Sequence, residues 1–277
     1  FWIVLSVSGS IPFILFGFGV VDSFFESMSG ITTTGATVIA GLDDLPKSLL
    51  IYRQLLQWLG GMGLIVLAIA VMPLLGIGGG QLFKTQTPGP MSEQRLTPRI
   101  TSTARALWSI YFVLTVLCIF AYRLAGMNYF DAVSHAFSTV SIGGFSTHDL
   151  SIGFFDSLSI EIVCITFMLL SAMSFAVHYS AIYRKQVLKY FYDPELRFFV
   201  SLLIVILGLV CLSLFANDID DPIRSGLFQT VSILTTTGFL TDEYSSWPAY
   251  ISFMLLVGAF VGACSGSVGG GIKSWRI

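Results

Sequence analysis

Two short polar runs in this sequence consist of residue types that suit cation coordination. They read "SGITTTGATV" at residues 29–38 and "SILTTTGFLT" at residues 232–241, and hydrophobic sequence flanks both. Main-chain and threonine oxygens in such a run can replace the hydration shell of a cation. The glycine permits the positive φ that an inward-aimed carbonyl requires. The runs therefore indicate either an ion site made of backbone oxygens or tight turns at a membrane interface.

The composition decides which solvent surrounds these runs. Of the 277 residues, 55% are hydrophobic and 11% are charged, and the mean hydropathy is +0.83. A water-soluble domain needs a polar exterior that so few charges cannot supply, so the sequence predicts an integral membrane protein. The formal net charge of -2 gives nucleic-acid binding no support. The four cysteines occur singly in apolar sequence, which favours packing over a metal site or a disulfide framework.

Long hydrophobic segments alternate with shorter, half-apolar ones. The predicted membrane spans are residues 1–19, 50–75, 106–125, 157–183, 198–216 and 248–265. After the first, third and fifth spans comes a segment that is too short to cross a bilayer, which takes ~20 apolar residues. Each short segment ends in a small polar run and a glycine. This pattern predicts a helix that enters the membrane and returns as an extended strand, buried in protein or beside water.

These three short segments superimpose without gaps. In each, a glycine (Gly35, Gly144 or Gly238) stands thirteen residues after a polar residue, and Asp22 and Asp131 are predicted to cap their helices. Repetition in register indicates repeated architecture. The predicted fold is an all-α integral membrane protein with pseudo-symmetric units of helix, re-entrant pore helix, filter strand and helix around a central ion pore. The predicted units are residues 1–75, 106–183 and 198–277, joined by loops at 76–105 and 184–197.

The two loops between units carry most of the basic residues. These are Lys84, Arg95, Arg99 and Arg105 in the first loop, and Arg184, Lys185, Lys189 and Arg197 in the second. By the positive-inside rule the loops face the cytoplasm, so the re-entrant segments enter from outside. Acidic residues on that outer side either raise the local cation concentration or form a solvated face. Arg53, Arg123 and Glu161 are predicted to snorkel to the interface.

The sequence resembles a known family at several motifs. The stretches "SGITTTGAT", "QWLGGMG", "KTQTPGPMSEQRLTPRI" and "GACSGSVGGGIK" are similar to the Trk/Ktr/HKT superfamily of potassium transporters. The stretch "STVSIGGFSTHD" is closest to the bacterial TrkH-like pore subunits of that superfamily. The resemblance covers essentially the whole chain. It implies four units around one pore, so a fourth repeat, and in some members preceding helices, are expected in the full protein.

The resemblance implies potassium uptake across the bacterial cytoplasmic (inner) membrane, with K+ as the ion and no organic cofactor. The implied filter residues are Thr33, Thr34, Gly35, Ile142, Gly143, Gly144, Thr236, Thr237 and Gly238. The middle unit departs from the threonine pattern, because Ser141 stands where the other units have Thr32 and Thr235. A side-chain ligand in that unit is therefore in question. A sodium- and potassium-permeable channel of low selectivity is the alternative function.

The last predicted span contains an interruption. Glycines recur every four residues from Gly258 to Gly270, which suits close helix packing in membranes, but residues 264–271 would form a poor helix. A loop that breaks the span is the sharper interpretation, and the resemblance implies that such a loop blocks the pore and moves on opening. The implied gate residues are Gly262, Ser265, Gly266, Ser267, Gly269, Gly270, Gly271 and Lys273. Nucleotide binding is excluded here, since Ile272 replaces the lysine of a phosphate-binding loop.

The resemblance also implies partners for the chain. These are membrane lipid, a second copy in a homodimer, and a cytoplasmic ring of nucleotide-binding regulatory subunits that docks on loops 76–105 and 184–197. The basic loops are alternatively topology signals alone. A rival of another class is an intramembrane enzyme that uses Asp131, Ser134 and His135, or His178 with nearby serines. The first unit repeats only the aspartate (Asp22, Phe25, Glu26), and the third repeats none of the three (Ser225, Phe228, Gln229), so the sequence favours a protein that is not an enzyme.

Overall fold

The computed structural model describes residues 2–71, 100–242, 244, 247–264 and 266–272. Throughout these ranges the chain forms helices, turns and extended segments, without β-strands. The helices are α1 (Trp2–Phe16), α2 (Val20–Ile31), α3 (Lys47–Val71), α4 (Ile100–Leu124), α5 (Tyr129–Val140), α6 (Leu158–Ala172), α7 (Phe175–Tyr183), α8 (Lys189–Tyr192), α9 (Pro194–Ala216), α10 (Pro222–Leu234) and α11 (Ala249–Val261). Two 3-10 turns, Leu42–Asp44 and Ser151–Phe155, precede α3 and α6.

The helices pack in the same order three times. The short helix α2 contacts α1 and α3, α5 contacts α4 and α6, and α10 contacts α9 and α11. The three short helices have 12, 12 and 13 residues. At 1.5 Å per residue they are about 20 Å long or less, which is shorter than the ~30 Å hydrocarbon core of a bilayer. They match the re-entrant helices that the repeat predicts.

Neighbouring units are joined by a second kind of contact. Helix α3, which ends the first unit, packs on the short helix α5 of the next, and α6 packs on α10 in the same way. The last helix of one unit therefore supports the re-entrant helix of the following unit. This staggered arrangement carries side chains of one unit to the backbone of the next.

Two helices in the described ranges are long and apolar enough to cross a membrane, namely Arg105–Leu124 within α4 and Pro194–Ala216 (α9). A third results if α6 and α7, which meet at an angle of 93°, count as one bent span. The bend interrupts the span predicted at 157–183, because Met173 and Ser174 adopt extended backbone with ψ of 154° and 126°. Helices α1 and α11 are apolar but have 15 and 13 residues.

Two boundaries differ from the sequence prediction. Helix α4 begins at Ile100 rather than at 106, so the end of the predicted loop 76–105 is helical, while residues 76–99 lie outside the described residues. In the second loop, α8 and the start of α9 are helical, and the Asp193 side chain caps α9 by accepting from the Leu196 N–H at 3.0 Å. The division of the chain into units remains a prediction.

Large apolar side chains face outwards on the long helices. Leu15 is 81% exposed, Leu124 88%, Leu212 68% and Phe253 65%. In water such a surface would favour aggregation, whereas lipid chains solvate it at no cost. The exposed faces of α1, α4, α9 and α11 therefore suit contact with lipid.

Candidate ion-binding site

The three short helices end in the same hydrogen-bonded turn. After α2, the Thr33 N–H donates to Gly30 O at 3.0 Å and the Thr34 N–H donates to Ser29 O at 2.9 Å. The corresponding bonds after α5 and α10 are Ile142 to Thr139, Gly143 to Ser138, Thr236 to Ile233 and Thr237 to Ser232, at 2.8–3.1 Å. This is a Schellman turn, which satisfies the last helical carbonyls. The negative end of each helix dipole therefore lies at the residues that follow.

The turn places a β-branched residue in the left-handed region each time. Thr33, Ile142 and Thr236 have φ of 54°, 54° and 65°. For β-branched residues this conformation is strained, by about 1–2 kcal/mol each. Two residues further on, Gly35, Gly144 and Gly238 have φ of 79°, 79° and 84°. Strain that is repeated at three equivalent positions marks a functional segment.

The three segments lie side by side; we call them the first (32–35), middle (141–144) and third (235–238) glycine segments. A Cβ added to Gly35 would lie under 3.0 Å from Gly143 O, and one added to Gly144 under 3.0 Å from Thr237 O. At Gly238, a Cβ would meet no described atom within 4 Å. A Cβ on Gly35 would also lie 3.6 Å from Thr237 O, so the three segments meet at these glycines. The first two glycines are required because a neighbouring carbonyl occupies the position of a side chain.

Threonine hydroxyls brace the first and third glycine segments. Thr32 Oγ1 donates to Met28 O at 2.7 Å and lies 2.7 Å from Thr34 Oγ1, which must then be the donor of that pair. Thr235 and Thr237 repeat both contacts in the third segment, with Val231 O as the helical acceptor. The hydroxyls at these positions therefore hold the backbone. This leaves the carbonyl oxygens as the groups free to meet a cation.

A serine six residues before each glycine supports the segment from behind. Ser29 Oγ donates to Ala36 O at 2.6 Å, and Ser232 Oγ donates to Phe239 O at 2.7 Å. The equivalent Ser138 Oγ is buried without a partner among the described residues. These serines were not predicted as site residues. Their signal was present in the repeat, since a serine opens each of "SGITTTG", "STVSIGG" and "SILTTTG".

The middle glycine segment takes its support from the first unit. Gln57 of α3 is fully buried, and its Nε2 donates to Gly143 O at 2.6 Å while its Oε1 accepts from the Phe145 N–H at 3.1 Å. A Cβ on Gly143 would lie under 3.0 Å from the Gln57 amide. This explains the departure from the threonine pattern, because a threonine at 143 would displace Gln57. Gln57 opens the motif "QWLGGMG", but its contact with the middle segment was not predicted.

The residue nine positions before each glycine connects its helix to the extended segment that follows the glycine, which we call the outer strand. Glu26 accepts from Thr37 Oγ1 at 2.9–3.0 Å, His135 Nε2 lies 2.9 Å from Ser146 Oγ, and Gln229 donates to Asp242 O at 3.1 Å. All three residues are fully buried. His135 therefore has a structural role that its counterparts share. Ser134 Oγ, the nucleophile of the rival enzyme hypothesis, has no partner in the described part of the chain.

A buried ion pair lies within the first unit, and its arginine also contacts the middle unit. Arg53 pairs with Glu26 at 2.6 Å, donates to Ser146 O at 3.3 Å and lies 4.4 Å from the centre of the Phe145 ring. The side chains of Arg53 and Glu26 are both 0% exposed. The prediction that Arg53 snorkels to the interface is therefore wrong. Three contacts that the sequence could not show hold it inside the protein.

A second ion pair joins the middle and third units. Arg224 at the start of α10 contacts Glu161 of α6 at 2.8 Å and Asp156 at 2.9 Å. The hydrogen bonds that Arg224 donates to Glu161 and then to Asp156 raise its pKa above the ordinary value. Glu161 is nearly buried, with 4% of its side chain exposed, so the prediction that it snorkels is also wrong.

The acidic residues on the predicted outer side link the units to one another. Asp149 accepts from the backbone N–H groups of Gly41 and Leu42 at 3.1 and 3.0 Å, and His148 pairs with Asp43. The prediction that Asp131 caps its helix is wrong. Asn128 caps α5, and Gly19 occupies the corresponding position before α2, so Asp22 does not cap that helix either. Asp131 instead accepts from Thr147 Oγ1 at 2.7 Å.

The chain after α11 folds back beneath the third glycine segment; residues 262–272 are called the α11 loop. The helix ends at Val261, and Gly262 and Gly271, with φ of 72° and 87°, lie against each other in backbone contact. The Gly270 N–H donates to Thr236 Oγ1 at 2.8 Å. The predicted gate residues Ser265 and Lys273 lie outside the described residues. The other six are in this loop.

The α11 loop also fills the break between α6 and α7. The Cys264 N–H donates to Ala172 O at 3.1 Å, and the Phe175 N–H donates to Gly266 O at 3.1 Å. Ala172 ends α6 and Phe175 begins α7, so the loop satisfies backbone groups that the broken helix leaves free. The bend of the middle unit and the loop of the third unit form one hydrogen-bonded structure.

Charged ligands for a metal are not grouped in this site. Among the described residues, three or more His, Cys, Asp or Glu side chains do not come together in a way that could hold a metal ion. Within the described residues, the thiols of Cys118, Cys164, Cys211 and Cys264 are not joined in disulfides. A cation at the glycine segments would therefore meet carbonyl oxygens, which are ligands for hard cations.

These features define a class: an all-α membrane protein made of repeated units, each with a re-entrant helix that ends in a strained glycine turn. Comparison with known proteins narrows the class to a family. The family model for TrkH, a cation transport protein, matches residues 1–277. The chain therefore belongs to the TrkH family.

Individual relatives agree with this assignment. The Trk system potassium uptake protein TrkH of Halomonas elongata is 53% identical over 283 residues, covering 100% of this chain and 59% of the relative. TrkH of Escherichia coli K12 is 46% identical over 284 residues with the same coverage. The crystal structure of the potassium transporter TrkH from Vibrio parahaemolyticus matches with a TM-score of 0.86 and 47% identity, covering 99% of this chain and 57% of that one. The predicted fold class and family resemblance are confirmed, and the chain spans about 59% of the relatives' length.

Proposed function

We propose that the protein takes up potassium through a pore in the bacterial cytoplasmic membrane, and that the three glycine segments belong to its filter. The relatives named above are potassium uptake proteins. The observation that carries the proposal is the same strained turn at three adjacent glycines, Gly35, Gly144 and Gly238. Backbone oxygens at such turns can replace the water around K+, and the carboxyl ends of the three short helices favour a cation.

K+ is the transported ion, and we assign its ligands to carbonyl oxygens of the nine filter residues. The bracing hydrogen bonds of the threonines support this choice of carbonyls over hydroxyls. The proposed ligands are Thr33, Thr34 and Gly35, then Ile142, Gly143 and Gly144, then Thr236, Thr237 and Gly238. No organic cofactor is part of this proposal.

Substitution of a filter glycine tests the assignment. Gly35→Ser and Gly238→Ser in the full-length protein are compared with wild type by rubidium uptake in liposomes, with sodium as the competing ion. Loss of uptake, or a lower preference for rubidium, is expected in both variants. Wild-type rate and wild-type selectivity in both variants would refute the filter assignment.

A second candidate function is a cation pathway of low selectivity for potassium over sodium. The Gln57 amide donates to Gly143 O, and a carbonyl that accepts a hydrogen bond offers less charge to an ion. The same competition assay distinguishes the candidates. Equal inhibition of rubidium uptake by sodium and by potassium would favour the less selective pathway.

The α11 loop is the proposed gate. Its hydrogen bond to Thr236, in the third glycine segment, supports this role, because a loop in contact with the proposed filter would alter the ion path when it moves. The residues involved are Gly262, Ser265, Gly266, Ser267, Gly269, Gly270, Gly271 and Lys273. Deletion of 265–270 should raise basal rubidium flux at normal expression. Unchanged or lost flux at normal expression would count against a gate.

The proposed partners are a homodimeric second copy, membrane lipid and a cytoplasmic ring of nucleotide-binding regulatory subunits. In the second loop, Arg184, Lys185 and Arg197 are exposed and available for docking. Charge reversal of Arg184 and Lys185 should weaken binding of that ring in a pull-down with purified subunits. We propose that this loop faces the cytoplasm and the glycine segments face outside, which cysteine labelling from either side of intact cells would test.

We assign Asp131, Ser134 and His135 a structural role in the transporter and not a catalytic one. His135 Nδ1 faces the Asp131 carbonyl oxygen at 2.9 Å and its Nε2 faces Ser146, so neither nitrogen contacts Ser134. A Ser134→Ala variant should keep wild-type rubidium uptake. Loss of uptake in a well-folded variant would reopen a chemical role for this serine.

A further inference from the structure

The middle glycine segment lacks the pair of hydroxyls that braces the other two segments, and a single side chain of another unit replaces that pair. The first and third segments each have a threonine pair with hydroxyls 2.7 Å apart. In the middle segment the equivalent residues are Ser141 and Gly143, so the second hydroxyl is missing. Ser141 Oγ donates to Ser138 O at 3.2 Å, which leaves the backbone beyond it without a side-chain brace from its own segment.

Gln57 occupies the space that the missing side chain leaves. Its amide spans Gly144 from one side: Nε2 donates to the carbonyl oxygen of Gly143, and Oε1 accepts from the N–H of Phe145. Both partners are main-chain groups of the middle unit, whereas Gln57 belongs to α3 of the first unit. An uncharged amide can donate from its nitrogen and accept at its oxygen at the same time, which is what these two main-chain groups require.

The contact also changes the electrostatics of one carbonyl. In the first and third segments, Thr34 O and Thr237 O accept no hydrogen bond from the described residues. The equivalent Gly143 O accepts a short bond of 2.6 Å from a fully buried donor. Bonds of this kind are strong where water is excluded, and they fix the direction of the carbonyl. The equivalent carbonyl oxygens of the three segments therefore differ in the negative charge that they can offer to a cation.

We propose that Gln57 is a positioning residue that sets ion selectivity. It fixes the middle glycine segment, and its hydrogen bond reduces the negative charge that the Gly143 carbonyl oxygen offers to an ion. This rests on the proposed function of the three segments as a filter. Gln57 acts through the backbone of residues 143–145 and is not itself a ligand. A second, local consequence does not depend on transport: the Phe145 amide proton is protected by Gln57.

The experiment compares Gln57→Leu with a matched control, Gln54→Leu, in the full-length protein. Gln54 is one turn earlier on the same helix and equally buried, but its amide has no partner among the described residues. Rubidium uptake in liposomes is measured in competition with sodium, and hydrogen exchange is followed in peptides that contain Phe145. Gln57→Leu should change the rubidium-to-sodium ratio on the order of tenfold and speed exchange at Phe145, while Gln54→Leu should change neither.

Gln57→Glu isolates the donor half of the interaction. Assayed at a pH high enough to ionise the new carboxyl group, this variant keeps an acceptor for the Phe145 N–H but cannot donate to Gly143 O. Exchange at Phe145 should stay close to wild type while the selectivity ratio changes. This variant also covers the case in which Gln57→Leu does not fold.

Restoring the threonine pattern provides the rescue. The triple variant Gln57→Ala, Ser141→Thr, Gly143→Thr removes the amide and rebuilds the hydroxyl pair of the other segments. Its selectivity ratio should return to within about threefold of wild type, whereas Gly143→Thr alone should be inactive because its Cβ collides with Gln57. Equal ratios in the Gln57→Leu variant and wild type would overturn the inference, and so would equal changes in the Gln57→Leu and Gln54→Leu variants.

The proposed function and this inference fail in different ways. A wild-type protein that carries no rubidium refutes the function. The exchange measurement then still decides the local half of the inference, since unchanged protection of Phe145 in Gln57→Leu overturns the positioning role.

Discussion

The first and middle glycine segments have the same backbone and different supports. Both begin with a Schellman turn, both have a β-branched residue at φ 54°, and both have a glycine at φ 79°. The first segment is braced by its own hydroxyls at Thr32 and Thr34, and the middle one by an amide from the preceding unit. The turn is therefore the constant element, and the side chains around it can change as long as the main-chain groups keep partners.

The first and middle units also differ in the hydrogen bonds that connect their short helices to the outer strands. In the first unit the tie from the short helix is the charged Glu26, which needs Arg53 to neutralise it. In the middle unit the tie is His135 with a serine hydroxyl. A buried ion pair is costly when one partner is removed, whereas a neutral hydrogen bond is worth far less. The two units should thus differ in how strongly they respond to equivalent substitutions.

The largest effect is expected from breaking the ion pair of the first unit. Arg53→Met leaves Glu26 buried and unpaired, which should destabilise the protein by about 3–5 kcal/mol. His135→Gln, the matched change in the middle unit, should cost only about 1–2 kcal/mol. Thermal unfolding in detergent measures both. Equal losses of stability would show that the two ties are equivalent and that the charge has no special cost.

The next effect concerns the glycines themselves. Gly35→Ala should abolish rubidium uptake, because its Cβ collides with Gly143 O in addition to straining a left-handed residue. Among the described residues the Cβ of Gly238→Ala meets no atom within 4 Å, so a loss of uptake beyond its conformational cost of about 1 kcal/mol would come from the fourth unit expected in the full protein. Uptake in liposomes ranks the two variants. Wild-type uptake in Gly35→Ala would contradict the contact between the first and middle glycine segments.

The third glycine segment differs from the other two in its contact with the α11 loop. Phe175→Pro removes the N–H that donates to Gly266 O, and proline is well tolerated at the first position of a helix. Loosening the loop should raise basal rubidium flux about fivefold, the equivalent of one hydrogen bond. Phe175→Leu keeps the N–H and is the control for loss of the ring. A flux increase in Phe175→Leu as large as in Phe175→Pro would assign the effect to packing.

The smallest effect should come from the hydroxyl pairs. Thr237→Val removes a buried donor without changing the shape of the side chain, at a cost of about 1 kcal/mol. Thr34→Val should cost less, since Thr34 is exposed and water can replace the lost bond. Thermal unfolding of the two variants gives the difference. A larger loss for Thr34→Val would contradict the assignment of both hydroxyls to the same brace.

The repeat in the sequence predicted the parts of this structure that depend on local chain. Three glycines in register, each after a short apolar segment, led directly to the three turns and their positive φ values. The serine six residues before each glycine was equally visible and was overlooked. In both cases the partners are separated by seven residues or fewer, so the spacing alone contains the information.

The long-range contacts had no such signal. Gln57 and Gly143 are 86 residues apart, and Arg53 and Ser146 are 93 apart. An apolar helix with a glutamine and an arginine reads as an interfacial helix end until the neighbouring unit is in place. The break after Ala172 was missed for a similar reason. Its stretch lacks proline and glycine, and the hydrogen bonds that stabilise it come from Cys264 and Gly266.

The staggered contacts give the chain a direction of assembly. Helix α3 supplies Arg53 and Gln57 to the middle unit, and α6 supplies Glu161 to the third. A ribosome delivers the amino-terminal helices first, so each supporting helix enters the bilayer before the turn that it will hold. The strained residues Ile142 and Thr236 are therefore synthesised after the helix that supports them, α3 or α6. The order of synthesis is also the order in which the turns can be completed.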